Sequence, residues 1–166
     1  MSSFTLFNKR YNSIFGGKTV FNFDEFMGIK NDNKIIQRII VEKKEKEVLV
    51  KMNYVIYRNY HIKNLPIEIN RIISSYSIDY IKVVHKIECN NDYPFKPILW
   101  KVDSVRYNIE SPFTSMSILE YFQYLTEVHN DSYKIYWSPA ICLQTDIITN
   151  TVRTNNYMLY YLEQTI

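Results

Sequence analysis

Five side chains in this sequence have the greatest reach into chemistry: Cys89, Cys142, His61, His85 and His129. A cysteine thiolate attacks electrophiles when a neighbour lowers its pKa, and with histidine it can ligate zinc. The spacing supports neither use. His85 and Cys89 fall on one face of a predicted strand, but four residues of strand span about 13 Å, too far for one zinc ion. The other two histidines are scattered along the chain. Asp24 and Glu25 form an adjacent acid pair. On a strand they face opposite ways, which predicts a solvated edge rather than a catalytic dyad. No phosphate-cradling glycine loop, dinucleotide fingerprint, H-E-x-x-H or G-x-S-x-G pattern occurs. The expectation is therefore no catalytic residue, no cofactor and no metal, with both cysteines acting as small buried hydrophobes.

Composition bounds what else is possible. The 166 residues predict one domain with an extension, long enough to bury a sizeable core. Hydrophobic residues at 46% and charged residues at 22% point to a folded soluble class rather than disorder. The 15 tyrosines stand out. Tyrosine suits exposed contact surfaces, having a large apolar body and a wet tip. Equally, Ile, Asn, Lys and Tyr share AT-rich codons, a hint of an AT-rich genome such as that of a large DNA virus. A net charge of +3 is too mild to predict a nucleic-acid partner. No apolar run reaches the roughly 18 residues of a membrane span, and the first residues lack the pattern of a secretory signal. Cysteines without framework spacing predict a reducing setting: cytoplasmic, or the virion if the chain is viral.

The elements follow from periodicity. Phe4, Phe7, Tyr11 and Phe15 recur at near-helical spacing and allow a short docking helix before the Gly16-Gly17 turn. Thr19 to Arg58 reads as a β meander, with turns at Lys30–Asn33 and Lys43–Lys46. Ile35, Ile36, Ile39 and Ile40 also fit a helical stripe, so Asn33–Lys46 has a helical alternative. Leu65–Tyr76 is the clearest helix. Pro66 suits its first position, Glu68 complements its dipole, and Ile69, Ile72, Ile73 and Tyr76 form one apolar face. Strands Ile78–Cys89 and Ile98–Tyr107 follow. Ser117 and Glu120 have the spacing of a capping box that opens a helix, which Asn130-Asp131-Ser132 is expected to end. Two C-terminal helices are expected, Ala140–Thr149 and Asn155–Gln164.

Between the two late strands lies Asn91–Trp100, NDYPFKPILW. Pro94 and Pro97 have no N–H to give a sheet, and each biases its predecessor toward an extended shape. The sheet is expected to stop there in a stiff ridge carrying Tyr93 and Phe95. Taken with Trp137-Ser138-Pro139-Ala140, in that order, Tyr-Pro-Phe-Lys-Pro resembles the ubiquitin-conjugating enzyme family, over Ile78 to about Ile148. The resemblance implies an α+β fold: an antiparallel meander sheet flanked by helices, ubiquitin-conjugating-enzyme-like in residues 65–166. Residues 1–64 would be an N-terminal arm and β extension. The family places a helix and two strands before the strand that leads into Y-P-F-K-P. Here Leu65–Tyr76 abuts that strand, so either two strands are missing or the Thr19–Arg58 meander supplies them in a changed order.

The family's chemistry needs a cysteine between the two motifs, a little after a His-Pro-Asn whose Asn supports the oxyanion. Here no cysteine lies between Pro97 and Trp137, and Asn108-Ile109-Glu110 stands where His-Pro-Asn would fall. The resemblance thus implies a non-catalytic relative rather than an enzyme. In the family the two loops lie side by side and contact the ligase. The protein-binding positions it implies are Pro94, Phe95 and Lys96 with Ser138, Pro139 and Ala140. The expected partner is a protein: a ubiquitin ligase, ubiquitin or a viral structural protein. The competing reading makes Tyr93, Phe95 and Trp137 pegs that hold the ridge on the sheet. Two other functions stay open. One is a virion assembly protein that reuses the fold, motivated by the tyrosines and the aromatic arm. The other is an F-box-like adaptor, because Leu65-Pro66-x-Glu68-Ile69-x-x-x-Ile73 resembles the first F-box helix, although a strand follows where two more helices belong.

Overall fold

A computed structural model describes residues 1–24, 35–45, 47–57, 63–76, 78–109, 111, 115–139 and 143–165. The chain opens with α1 (Ser3–Phe15). Ser2 caps it, its hydroxyl accepting from the Thr5 N–H at 3.1 Å. It closes on Gly16 with φ of 63°, the left-handed stop that only glycine adopts freely. Phe7, Tyr11 and Phe15 are buried, so the aromatic arm belongs to the core.

Then come β1 (Val20–Asn22), β2 (Ile35–Lys43), β3 (Glu47–Tyr57), α2 (Ile67–Tyr76), β4 (Ile78–Glu88), β5 (Leu99–Tyr107), α3 (Ile118–Tyr136) and α4 (Leu143–Thr165). The fold is α+β. Its five strands make one open antiparallel sheet in the order β1-β2-β3-β4-β5. The meander therefore runs in chain order and α2 sits between β3 and β4. No strand changes place. The division expected after residue 64 falls between these two strands, which pair from Glu47↔Glu88 to Tyr57↔Ile78.

The isoleucine run forms a strand because its β-branched residues alternate: Ile35, Gln37, Ile39 and Val41 turn inward. Past Asn22, the Asp24 carboxylate takes over the pairing and accepts from the Ile39 N–H. Asp24 is thus a structural acceptor, and Glu25 lies outside the described residues. One apolar core joins α1, the sheet, α3 and α4.

Two helix boundaries differ from expectation for one physical reason. Asn130-Asp131-Ser132 does not end α3, which continues to Tyr136. Asn130 spends its amide on β5 instead, donating to the Trp100 carbonyl at 2.8 Å and accepting from the Trp100 N–H at 3.1 Å. The two expected C-terminal helices are one, α4. Asn155, where the second was expected to begin, faces inward: it donates to Gln37 at 2.8 Å and accepts from the Tyr54 hydroxyl at 2.8 Å. Polar residues that break helices by bonding locally do not do so when a distant partner satisfies them. The capping box opens α3 as expected, with Ser117 N–H to Glu120 at 2.6 Å and Glu120 N–H to Ser117 at 3.2 Å.

Candidate functional site

The proline ridge is a compact turn built on two side chains. Asn90 donates to the Pro97 carbonyl at 2.6 Å and accepts from the Asp92 N–H at 2.8 Å, which closes the base of the loop. Asp92 anchors the tip: its carbonyl accepts from the N–H groups of Phe95 at 2.7 Å and Lys96 at 3.1 Å. Lys96 also pairs with the Asp92 carboxylate at 2.6 Å, an exposed ion pair of small worth. The Tyr93–Pro94 peptide bond is cis.

The second corner lies against the first. The Trp137 indole N–H donates to the Pro94 carbonyl at 2.7 Å, and the Tyr93 and Trp137 rings stand 6.3 Å apart. α1 ties both. Arg10 donates to the Tyr93 hydroxyl at 2.9 Å and to the Pro139 carbonyl at 3.3 Å, with its guanidinium 5.5 Å above the Tyr93 ring. Phe7 packs edge-on to Tyr93 at 5.8 Å. Burial raises the Tyr93 hydroxyl pKa, and the Arg10 hydrogen bond works against that. The hydroxyl thus stays protonated and serves as a structural acceptor.

The three aromatics that sequence treated alike do different work. Tyr93 is 2% exposed and is a peg. Trp137 is half-buried and is a second peg. Phe95 is 79% exposed and is not a peg. Ile135 and Tyr136, at the end of α3 just before Trp137, are 75% and 74% exposed. Lys96 and Pro139 are exposed, Pro94 and Ser138 partly so. Ala140 lies outside the described residues. The structure therefore brings the two loops together and leaves the Phe95 ring exposed. Arg10, Ile135 and Tyr136 were missed by sequence reasoning. No local signal marks Arg10, whose two partners lie in distant loops. Ile135 and Tyr136 were hidden by the mistaken end of α3.

The chemistry-bearing residues lie elsewhere. Cys89 follows the end of β4, and burial pushes its thiol up to about 11, so it is not a thiolate at neutral pH. Cys142 and His61 lie outside the described residues. His85 is buried against Trp100 and Phe122. His129 and Asp146 are buried and meet at 3.2 Å, and Asp146 also accepts from the Trp100 indole at 3.3 Å. Among the described residues no group of three or more His, Cys, Asp or Glu side chains could hold a metal ion. No described helix is long and apolar enough to cross a membrane. No family model, curated protein or solved structure matches the chain.

Proposed function

We propose that the chain is a non-catalytic protein-binding module of ubiquitin-conjugating-enzyme type, whose partner is a ubiquitin ligase docking on the paired corners. One observation carries the reading. The Trp137 N–H holds the Pro94 carbonyl at 2.7 Å while Phe95 stays 79% exposed beside it. Such an anchor, already rigid before docking, loses little entropy on binding. The order of elements supports the same reading: a helix, then strands in sequence, then the strand into Y-P-F-K-P, with W-S-P-A alongside. α2 is then an added helix between two strands. The sequence offers no cysteine between the two motifs, and the raised pKa of Cys89 argues against a substitute. Mixing the chain with charged activating enzyme and ubiquitin should give no reducible adduct. An adduct on Cys89 or Cys142 would overturn the non-catalytic reading.

A second reading, an F-box-like adaptor, has one observation in its favour. Ile69 and Ile72 of the expected apolar face are 42% and 52% exposed, and Ile67 on the same helix is 58% exposed. Pull-down of the cullin adaptor, abolished by Ile69→Asp, would support it, and no association would remove it.

A further inference from the structure

The outer face of the sheet, opposite the core side chains, is organised in rows. Buried and outward positions alternate along β2, β3 and β4, and the register aligns the outward ones from strand to strand. One row reads Arg38 on β2, Asn53 on β3, Lys82 on β4 and Arg106 on β5. Its three cations are exposed. Lys82 and Arg106 are direct cross-strand partners, a position in which like charges repel. Among the described residues no carboxylate pairs with any of the three.

A second pair of cations shows how this repulsion is relieved elsewhere on the face. Lys86 and Lys101 are also direct partners. Glu88 bonds both, at 3.1 Å and 2.6 Å, and Glu47 meets Lys86 at 3.5 Å. The acids of the face gather at that end, so a net charge of +3 conceals an uncompensated row at the other. With strands about 4.8 Å apart, the row runs for about 14 Å. An anion that answers all of it is extended and multiply charged. Tyrosines stand beside the row. The Lys82 ammonium lies 5.4 Å from the Tyr80 ring centroid. Tyr57, 36% exposed, pairs with Ile78 on the neighbouring strand and so stands diagonal to Tyr80. A strand that carries a phosphate and a flat base on every unit meets the cations and the rings together. An acidic peptide leaves the rings unused, and a duplex keeps its base faces stacked inside.

We propose that this face docks single-stranded nucleic acid, with phosphates on Arg38, Lys82 and Arg106 and bases against Tyr57 and Tyr80. The test is fluorescence anisotropy of the full chain with a labelled oligothymidine of about ten nucleotides. Binding is expected with a Kd on the order of 10 µM in roughly 50 mM salt, weakening about twentyfold by roughly 200 mM, as about three phosphate contacts on a single strand require. Lys82→Gln and Arg106→Gln should each weaken binding about fivefold and flatten the salt dependence. Lys101→Gln, from the compensated pair on the same face, should change it by less than about twofold. An abasic strand of the same length should bind about tenfold more weakly, because it has nothing to stack. The comparison of strands uses the unaltered chain and stands even if a variant fails to fold. No saturable binding, or a loss in Lys82→Gln no larger than in Lys101→Gln, overturns the proposal. So does an abasic strand, a duplex, a polyglutamate peptide or a phosphatidylserine vesicle that binds as tightly as oligothymidine.

Discussion

The two ends of β4 both present apolar side chains to solvent, on different terms. Past its C-terminal end, Phe95, Ile135 and Tyr136 sit on a base held by Tyr93, Trp137 and Arg10. Before its N-terminal end, the exposed isoleucines of α2 sit on a ten-residue helix. Its buried Asn70 bonds the Leu65 carbonyl within the same segment at 3.3 Å. Exposure is greater at the corners, 74–79% against 42–58% on α2, and the base beneath them is built from named contacts. A side chain on a base already held by hydrogen bonds and ring contacts loses little freedom when a partner arrives. Exposure and the held base together favour the corners as the docking surface.

The largest effect is expected where the base itself is cut. Tyr93→Ala removes a buried ring that touches Phe7 and Trp137, and should lower stability by about 3–5 kcal/mol in urea unfolding. A loss below about 1 kcal/mol would mean that the base does not hold the corner and would erase the contrast.

The strand that joins the two ends supplies the next effect. Burial, then the neighbouring His129, pushes the His85 pKa down to about 4 from 6.5. Between those values the unfolded chain binds a proton that the folded chain refuses. Stability from this group is therefore full above pH 6.5, falls as pH drops toward 4, and is constant below. The shift amounts to about 3 kcal/mol. Urea midpoints measured across that window should fall accordingly, and His85→Leu should flatten the slope. An unchanged slope in the variant would place the effect elsewhere.

Trp137→Phe keeps a ring and deletes the N–H that holds the Pro94 carbonyl. It should cost about 1–2 kcal/mol by the same measurement. No change would mean that the two corners stay together without it. Smallest of all are the exposed positions: Phe95→Ala and Ile69→Asp should each move stability by no more than about 0.5–1 kcal/mol. A larger loss for Ile69→Asp would put the α2 face against the body of the protein.

Much of the fold was legible because its signals are local. Alternation gave β2 to β5, aromatic spacing gave α1, and Ser117 with Glu120 marked the start of α3. The misreadings share a cause. Asn130 looks like a helix breaker and Asn155 like a helix start, but Trp100, Gln37 and Tyr54 satisfy them across the core. A sequence read locally cannot see partners that distant. The site was legible in half. Prolines marked both corners, yet the sorting of Tyr93 inward and Phe95 outward depends on Phe7 and Arg10, which arrive from α1.

The most direct test is an amide-shift titration of the full isotope-labelled chain with the RING domain of a ubiquitin ligase. Saturable shifts should cluster at Phe95, Lys96, Ser138 and Tyr136, and Phe95→Ala should weaken binding by about 2 kcal/mol without lowering the melting temperature. Shifts confined to α2, or none at any of the corner residues, would contradict the claim that the paired corners are the docking surface.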